Sequence, residues 1–165
     1  MSFEEKGYLT LEELDSKIPN YDRLKKGPVA IIECIQKIPC NPCQFACTRK
    51  AIKDFKEIND IPDIDFDLCN GCGICIAQCP GLAIFVVWQD YNELESLVKI
   101  PFEFLPVPIE GNEYALLDRS GRVIGKGRVI KIQTNKNNPK TKILWITTPK
   151  ELCMDTRGIK VVDNE

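Results

Sequence analysis

At 165 residues, with a formal charge of −2 and 44% apolar side chains, the chain has the composition of one ordinary globular domain or two small ones. Its apolar runs, such as Ala83–Trp88, are too short to cross a bilayer, and the acidic opening MSFEEKGYLT lacks the basic and apolar regions of a signal peptide. Nine cysteines and no histidine exclude haem ligation by His, Rieske-type ligation and His general-base catalysis; in a chain expected to stay in the cytoplasm they argue for metal over disulfides.

Residues 1–27 are expected to form a packing or docking arm without chemistry of its own. Thr10 and Glu13 stand at capping-box spacing and predict a short helix over Leu11–Lys17, closed by Pro19. Asn20–Pro28 is polar and is expected to be a loop. The run Val29-Ala30-Ile31-Ile32, bounded by Gly27-Pro28 and the first cysteine, predicts a buried strand.

The cysteines that follow carry the chemistry. Cys69–Pro80 reads CNGCGICIAQCP and has the spacing C-x2-C-x2-C-x3-C-P of bacterial ferredoxins. Thiolates so spaced wrap a 4Fe–4S cube with the first three, while the fourth leaves the loop toward a second cluster. Gly71 and Gly73, between the ligands, have no Cβ to crowd a loop this tight. Setting Cys40 against Cys72 brings Cys43 onto Cys75, Cys47 onto Cys79 and Ala51-Ile52 onto Ala83-Ile84, so the segment contains an internal repeat. It departs twice: Lys37 holds the place of Cys69, and Thr48 that of Pro80.

Two readings of the first half follow. Either it has lost a cluster, or Cys34, three residues upstream of Lys37, supplies the missing thiol. If the fourth Cys of each run ligates the other cluster, Cys47, Cys69, Cys72 and Cys75 form one set and Cys34, Cys40, Cys43 and Cys79 the other, using eight of the nine cysteines. The competing reading of Cys34 is a small buried hydrophobe at a strand end. Zinc on the pairs Cys40/Cys43 and Cys69/Cys72 would strand Cys34, Cys47, Cys75 and Cys79.

Thr48–Lys56 is predicted to be the helix after the fourth Cys of the first half, and Pro80 is expected in the first turn of its counterpart. Asp54, Glu57, Asp60, Asp63, Asp65 and Asp67 give the connection a solvated acidic surface. Ile84–Trp88 predicts a strand pairing with Val29–Ile32 in a βαββαβ-like unit, with Ile31, Ile35, Ile52, Ile74, Ile76 and Ile84 walling the clusters from water. From about Leu97 the alternation Val98, Ile100, Phe102 and Phe104 reads as an edge strand, and Pro101, Pro106 and Pro108 as a stiff linker.

The fold class expected is α+β: a bacterial two-cluster ferredoxin-like domain over 28–100, followed over 101–165 by a linker and a small all-β C-terminal domain. Strands are predicted at Glu113–Leu117, at Arg122–Ile132 with a bulge near Gly125-Lys-Gly127, and at Ile143–Thr147, joined by turns at Asp118–Gly121 and Lys136–Lys140 as a small barrel or three-stranded sheet. Lys150–Ile159 is expected to be irregular, with Cys153 as a lone structural or surface thiol. Residues 1–100 carry 11 basic and 16 acidic side chains and residues 101–165 carry 11 and 8, so the C-terminal part is the basic one. Arg119, Arg122, Lys126, Arg128 and Lys131 make a basic hairpin, weak evidence for a phosphate or nucleic-acid contact. No catalytic constellation is visible.

Taken together, Glu33–Cys43, Cys69–Phe85 and Pro101-Phe-Glu-Phe-Leu-Pro106 resemble the ferredoxin-like electron-transfer subunits that accompany FAD-dependent oxidoreductases acting on amino acids, notably proline and hydroxyproline dehydrogenase complexes. The likeness covers about Gly27–Pro108 and, more loosely, the β tail. It implies a non-catalytic subunit with two 4Fe–4S clusters, Cys34 among the ligands, and FAD in partner subunits of a hetero-oligomer with no nucleic acid or membrane contact. The alternatives are a free-standing ferredoxin serving several redox enzymes and, on the basic hairpin, an iron–sulfur nucleic-acid binder. A 65-residue extension beyond the cluster region argues against the first, and the overall charge of −2 against the second.

Overall fold

The computed structural model describes residues 1–161; the last four positions of the segment 101–165 lie outside the described residues. The arm begins with one helical turn, α1 (Phe3–Lys6), and a 3-10 turn over Glu12–Lys17. Thr10 and Glu13 make the expected reciprocal pair: Thr10 N donates to Glu13 Oε2 (2.8 Å), and Glu13 N to Thr10 Oγ1 (3.3 Å). The loop expected at Asn20–Pro28 is instead a helix, α2 (Tyr21–Lys26). Asn20 Oδ1 accepts from Arg23 N at 2.9 Å, an N-cap that satisfies one orphan amide of the first turn. Leu24 is its buried residue.

The strands β1 (Val29–Ile32) and β2 (Ile84–Trp88) pair antiparallel as expected, with Val29 opposite Val87 and Ile32 opposite Ile84. Between them lie only two short helices, α3 (Pro42–Ala46) and α4 (Ile74–Gln78). Both stand before the fourth cysteine of their half; the helix expected over Thr48–Lys56 and the one expected to start at Pro80 do not form. Lys50 (φ 53) and Leu82 (φ 51) explain this, because a left-handed residue just past Cys47 and Cys79 turns the chain out of the helix. Beyond Lys50, Ile52 bridges to Ile64 in extended conformation.

Those two residues occupy matching places in the repeat, and the hydrogen bonds match as well. Cys47 N reaches Gln44 O and Lys50 N reaches Cys47 O; Cys79 N reaches Ile76 O and Leu82 N reaches Cys79 O. The repeat seen in the cysteines is thus a repeat of backbone conformation.

The remaining strands, β3 (Glu95–Phe102), β4 (Glu113–Leu117), β5 (Val123–Asn135), β6 (Asn138–Pro149) and β7 (Gly158–Lys160), join the first two in one antiparallel sheet of order β1-β2-β3-β6-β5-β4-β7. The βαββαβ-like unit and the barrel or three-stranded sheet expected after it are therefore replaced by a single seven-stranded sheet. β3 is not an edge strand: it runs between β2 and β6, and Pro101 lies inside it opposite Ile143. The bulge expected at the Gly125-Lys-Gly127 strand appears as a register shift, Leu116 facing Gly125 and Leu117 facing Val123.

Period-two alternation sorts the side chains onto two faces. Val29, Ile31, Phe85, Val87, Val98 and Ile100 join Leu116, Leu144 and Ile159 in one buried layer. Ala30, Ile32, Ile84 and Val86 join Ile52, Ile76 and the cysteine loops in the other. Ile31 consequently faces away from the cysteines, unlike the other isoleucines expected to wall them. Glu33, just past β1, and Arg157, just before β7, are hydrogen-bonded, so the two ends of the sheet come together. Among the described residues, no helix is long and apolar enough to cross a membrane.

Candidate iron–sulfur centre

The two cysteine sets predicted from the crossing rule meet at two separate cavities on the α3–α4 side of the sheet. One is lined by Cys47, Cys69, Cys72 and Cys75. The other, about 210 Å³, is lined by Cys34, Cys40, Cys43 and Cys79. Each set of three takes its fourth member from the opposite half of the repeat. Cys34 follows the end of β1 and faces the cavity, while Lys37 is exposed to solvent. Cys72 is exposed and Cys43 and Cys75 are buried.

Geometry around the sulfurs suits anionic ligands. Cys69 Sγ accepts from Ala30 N and from Gly71 N, both at 3.4 Å. Cys47 Sγ accepts from Ala51 N at 3.3 Å, and Cys79 Sγ from Ala83 N at 3.4 Å. Amide donors aimed at sulfur stabilise thiolate over thiol. Opposing this, burial pushes the Cys43 thiol up to about 11, with Cys79, Cys40 and Cys34 adding to the rise. Cys75 is raised further by burial and then by Cys69, Cys72 and Cys47. Cys34 is raised by burial and then by Cys79 and Cys40. Deprotonated sulfur is the form that binds metal, and a cationic centre among the thiols would offset the cost of burying it. Among the described residues, no three Cys, Asp or Glu groups sit close enough to hold a single metal ion. The cysteines instead line the two cavities, about 210 Å³ at the Cys34 set and about 20 Å³ at the Cys47 set.

The loop that carries Cys69, Cys72 and Cys75 is fixed from three sides. Gly71 (φ 65) lies against Pro28, where a Cβ would come within 2.5 Å of the proline Cβ, so only glycine fits. Arg23, on α2, donates to the carbonyls of Phe66 (2.7 Å), Gly27 (3.2 Å), Pro28 (3.3 Å) and Cys69 (2.7 Å). Lys99, on β3 and 5% exposed, donates from Nζ to Gly71 O at 2.8 Å. Sequence reasoning missed both cations. The arm was expected to have no role at the site, and Lys99 was expected only to alternate with Val98 and Ile100 in an edge strand. Its only signal was a lysine inside an apolar strand.

A second polar cluster borders the Cys34 cavity. Glu33 accepts from Arg119 (2.9 Å and 2.6 Å) and from Arg157 Nε (2.8 Å), with all three side chains under a tenth exposed. Burial alone would raise Glu33, but Arg157 and then Arg119 outweigh it and hold the carboxyl below its usual range. Arg157 also lies 4.8 Å over the Phe85 ring. The rest of the basic hairpin is engaged within the chain: Arg122 with Asp118, Lys126 with Glu113, Arg128 with Gly111 O and Lys131 over Trp145. Cys153 is fully buried in the layer opposite the cysteine loops.

The comparisons with known proteins agree with the motif. Residues 62–85 match the profile of the 4Fe-4S binding domain, so the chain contains a ferredoxin-type iron–sulfur domain. The ferredoxin-type protein NapF of Haemophilus influenzae is 38% identical over 61 residues, 36% of this chain and 35% of NapF. Protein Pixie of Drosophila melanogaster is 33% identical over 128 residues, 70% of this chain and 21% of Pixie. Translation initiation factor rli1 of Schizosaccharomyces pombe is 32% identical over 125 residues, 66% of this chain and 21% of that protein. The chain thus spans about a third of NapF's length and about a fifth of the other two. No solved structure matches.

Proposed function

We propose that the chain is a non-catalytic electron-transfer subunit with two 4Fe–4S clusters, one on Cys47, Cys69, Cys72 and Cys75 and one on Cys34, Cys40, Cys43 and Cys79. The observation that carries this is the division of eight cysteines between two cavities, with the fourth member of each set crossing over. When bound, such a cluster takes up and returns single electrons. The chain's own residues do the rest: the amides of Ala30, Gly71, Ala51 and Ala83 favour thiolate, Arg23 and Pro28 hold the Cys69 loop, and Ile52, Ile76 and Ile84 keep water out.

Anaerobic purification followed by iron analysis should give about eight irons per chain. About four would remove the second cluster and the ligand role of Cys34. For the partner we infer FAD-dependent subunits of an amino-acid or amine dehydrogenase in the cytoplasm. Support comes from the resemblance of Gly27–Pro108 to the small subunits of such complexes. Native isolation from the source cell should recover a flavoprotein with this chain; recovery alone would favour a free-standing ferredoxin.

A second reading has its own observation. The matches to Pixie and to rli1, which is named a translation initiation factor, run over some 125 residues, well beyond the cysteine loops. On that reading the domain is an iron–sulfur module of the translation apparatus. Co-sedimentation of the iron-loaded protein with ribosomal particles would favour it over the electron relay.

A further inference from the structure

Lys99 is a buried cation inside a strand, and the strand places it on the cysteine face. In the sheet register it stands between Val86 of β2 and Trp145 of β6. Its Nζ donates to Gly71 O, between Cys69 and Cys72, and its Cδ lies 3.6 Å from where a Cβ of Gly73 would be, between Cys72 and Cys75. The same ammonium lies 4.0 Å over the Trp145 ring, with Lys131 Nζ 4.8 Å from that ring. None of the ion pairs found among the described residues includes Lys99. A buried ammonium held by a carbonyl and an aromatic face, with no carboxylate to neutralise it, exerts its field on whatever charge the adjacent loop holds. Burial limits the screening that salt and water would otherwise provide.

We propose that Lys99 sets the reduction potential of the cluster held by Cys47, Cys69, Cys72 and Cys75, holding it above that of the same site without the cation. This rests on the two-cluster reading given above. The step would be a one-electron reduction of the cluster these cysteines would hold, with the electron supplied by dithionite through a mediator and no protein bond formed or broken. The extra negative charge is favoured by the nearby ammonium. The two sites differ in donors too. Three of the four amide–sulfur hydrogen bonds fall at the Cys47/Cys69 site and one at Cys79, and among the described residues no lysine side chain hydrogen-bonds to the loop that carries Cys40 and Cys43.

The test is an anaerobic redox titration of the iron-loaded full chain, followed by EPR, for the wild type, Lys99→Met and Lys99→Arg. In Lys99→Met, one of the two waves should move so that reduction is disfavoured about tenfold, about 59 mV more negative for one electron. The other wave should stay where it is, and Lys99→Arg should restore most of the shift. Two unmoved waves in fully loaded Lys99→Met would overturn the proposal, as would an equal shift in Lys99→Arg. If Lys99→Met fails to load iron, Lys99→Gln, which keeps a donor for Gly71 O without the charge, carries the same two outcomes. The underlying reading is tested separately by the wild type. Four irons and one wave that responds to Lys99 would remove only the Cys34 cluster, while a wild type without iron would remove both the reading and the proposal.

Discussion

Cys34 lines the cavity it shares with Cys40, Cys43 and Cys79, while Lys37, at the position the repeat assigns to a thiol, is exposed. β1 ends at Ile32, so Cys34 leaves the sheet beside the cavity, and a ligand three residues late in the repeat would have to come from the exposed turn. Replacing Cys34 with Ala should remove about half of the iron and leave the signal of the Cys47/Cys69/Cys72/Cys75 cluster intact, measured by iron analysis and EPR. Full retention would make Cys34 a packed thiol. The cysteines were legible in the sequence because cluster chemistry demands one residue type at fixed spacing. Lys99 and Arg23 were not, because their roles come from distant elements folding onto one loop. Apart from the apolar neighbours of Lys99 in β3, nothing local separates them from surface cations.

At the scale of elements, the strands were read more faithfully than the helices. β-branched runs with period-two alternation mark both the strand and its two faces, whereas α3 and α4 are single turns of five residues each. Helices so short have little periodicity to read; they stop at Cys47 and Cys79, whose backbone is extended, and the left-handed Lys50 and Leu82 keep the chain from resuming a helix. The helix α2 was hidden for another reason: an Asn cap before a polar hexapeptide looks like a loop until its one apolar residue, Leu24, finds the core. Its function at the site is Arg23. An Arg23→Ala variant should lose about 2–3 kcal/mol, since hydrogen bonds from a charged donor are worth about 1.5–3 kcal/mol each and are not additive here. It should also release iron from the Cys69 loop faster than wild type on challenge with a chelator. Unchanged release with normal stability would show the four carbonyl contacts to be incidental.

At the scale of the molecule, the boundary expected at residues 100/101 falls inside β3, and the sheet passes through it without interruption. That continuity could not be read from the sequence, because it depends on which of the later strands closes against β3, and β6 does so from 36 residues further along the chain, Phe102 to Asn138. Glu33, next to the Cys34 site, is clasped by Arg119 from the β4–β5 turn and by Arg157 just before β7. Glu33→Gln should cost about 3–5 kcal/mol, because it leaves the buried Arg157 guanidinium without a counter-ion and Arg119 with only Asp155, at 4.0 Å. Arg157→Met should cost less, since Arg119 still pairs with Glu33 and Arg157 Nη2 has no partner to lose. Urea unfolding of the iron-loaded proteins orders the two, and equal losses would show that Arg119 alone does not hold Glu33.

The clasp also has a consequence for how the protein reaches this structure. Glu33 and Arg157 are 124 residues apart in the chain, and β1 and β7 bring their layer together only when that loop is closed. Contacts of such long separation slow folding, because the closure entropy is spent before they form. All eight cysteines of the two sets precede Arg157 and leave the ribosome before it. A cluster assembled as the chain emerges would therefore meet binding loops that are complete in sequence while the sheet beneath them is still open.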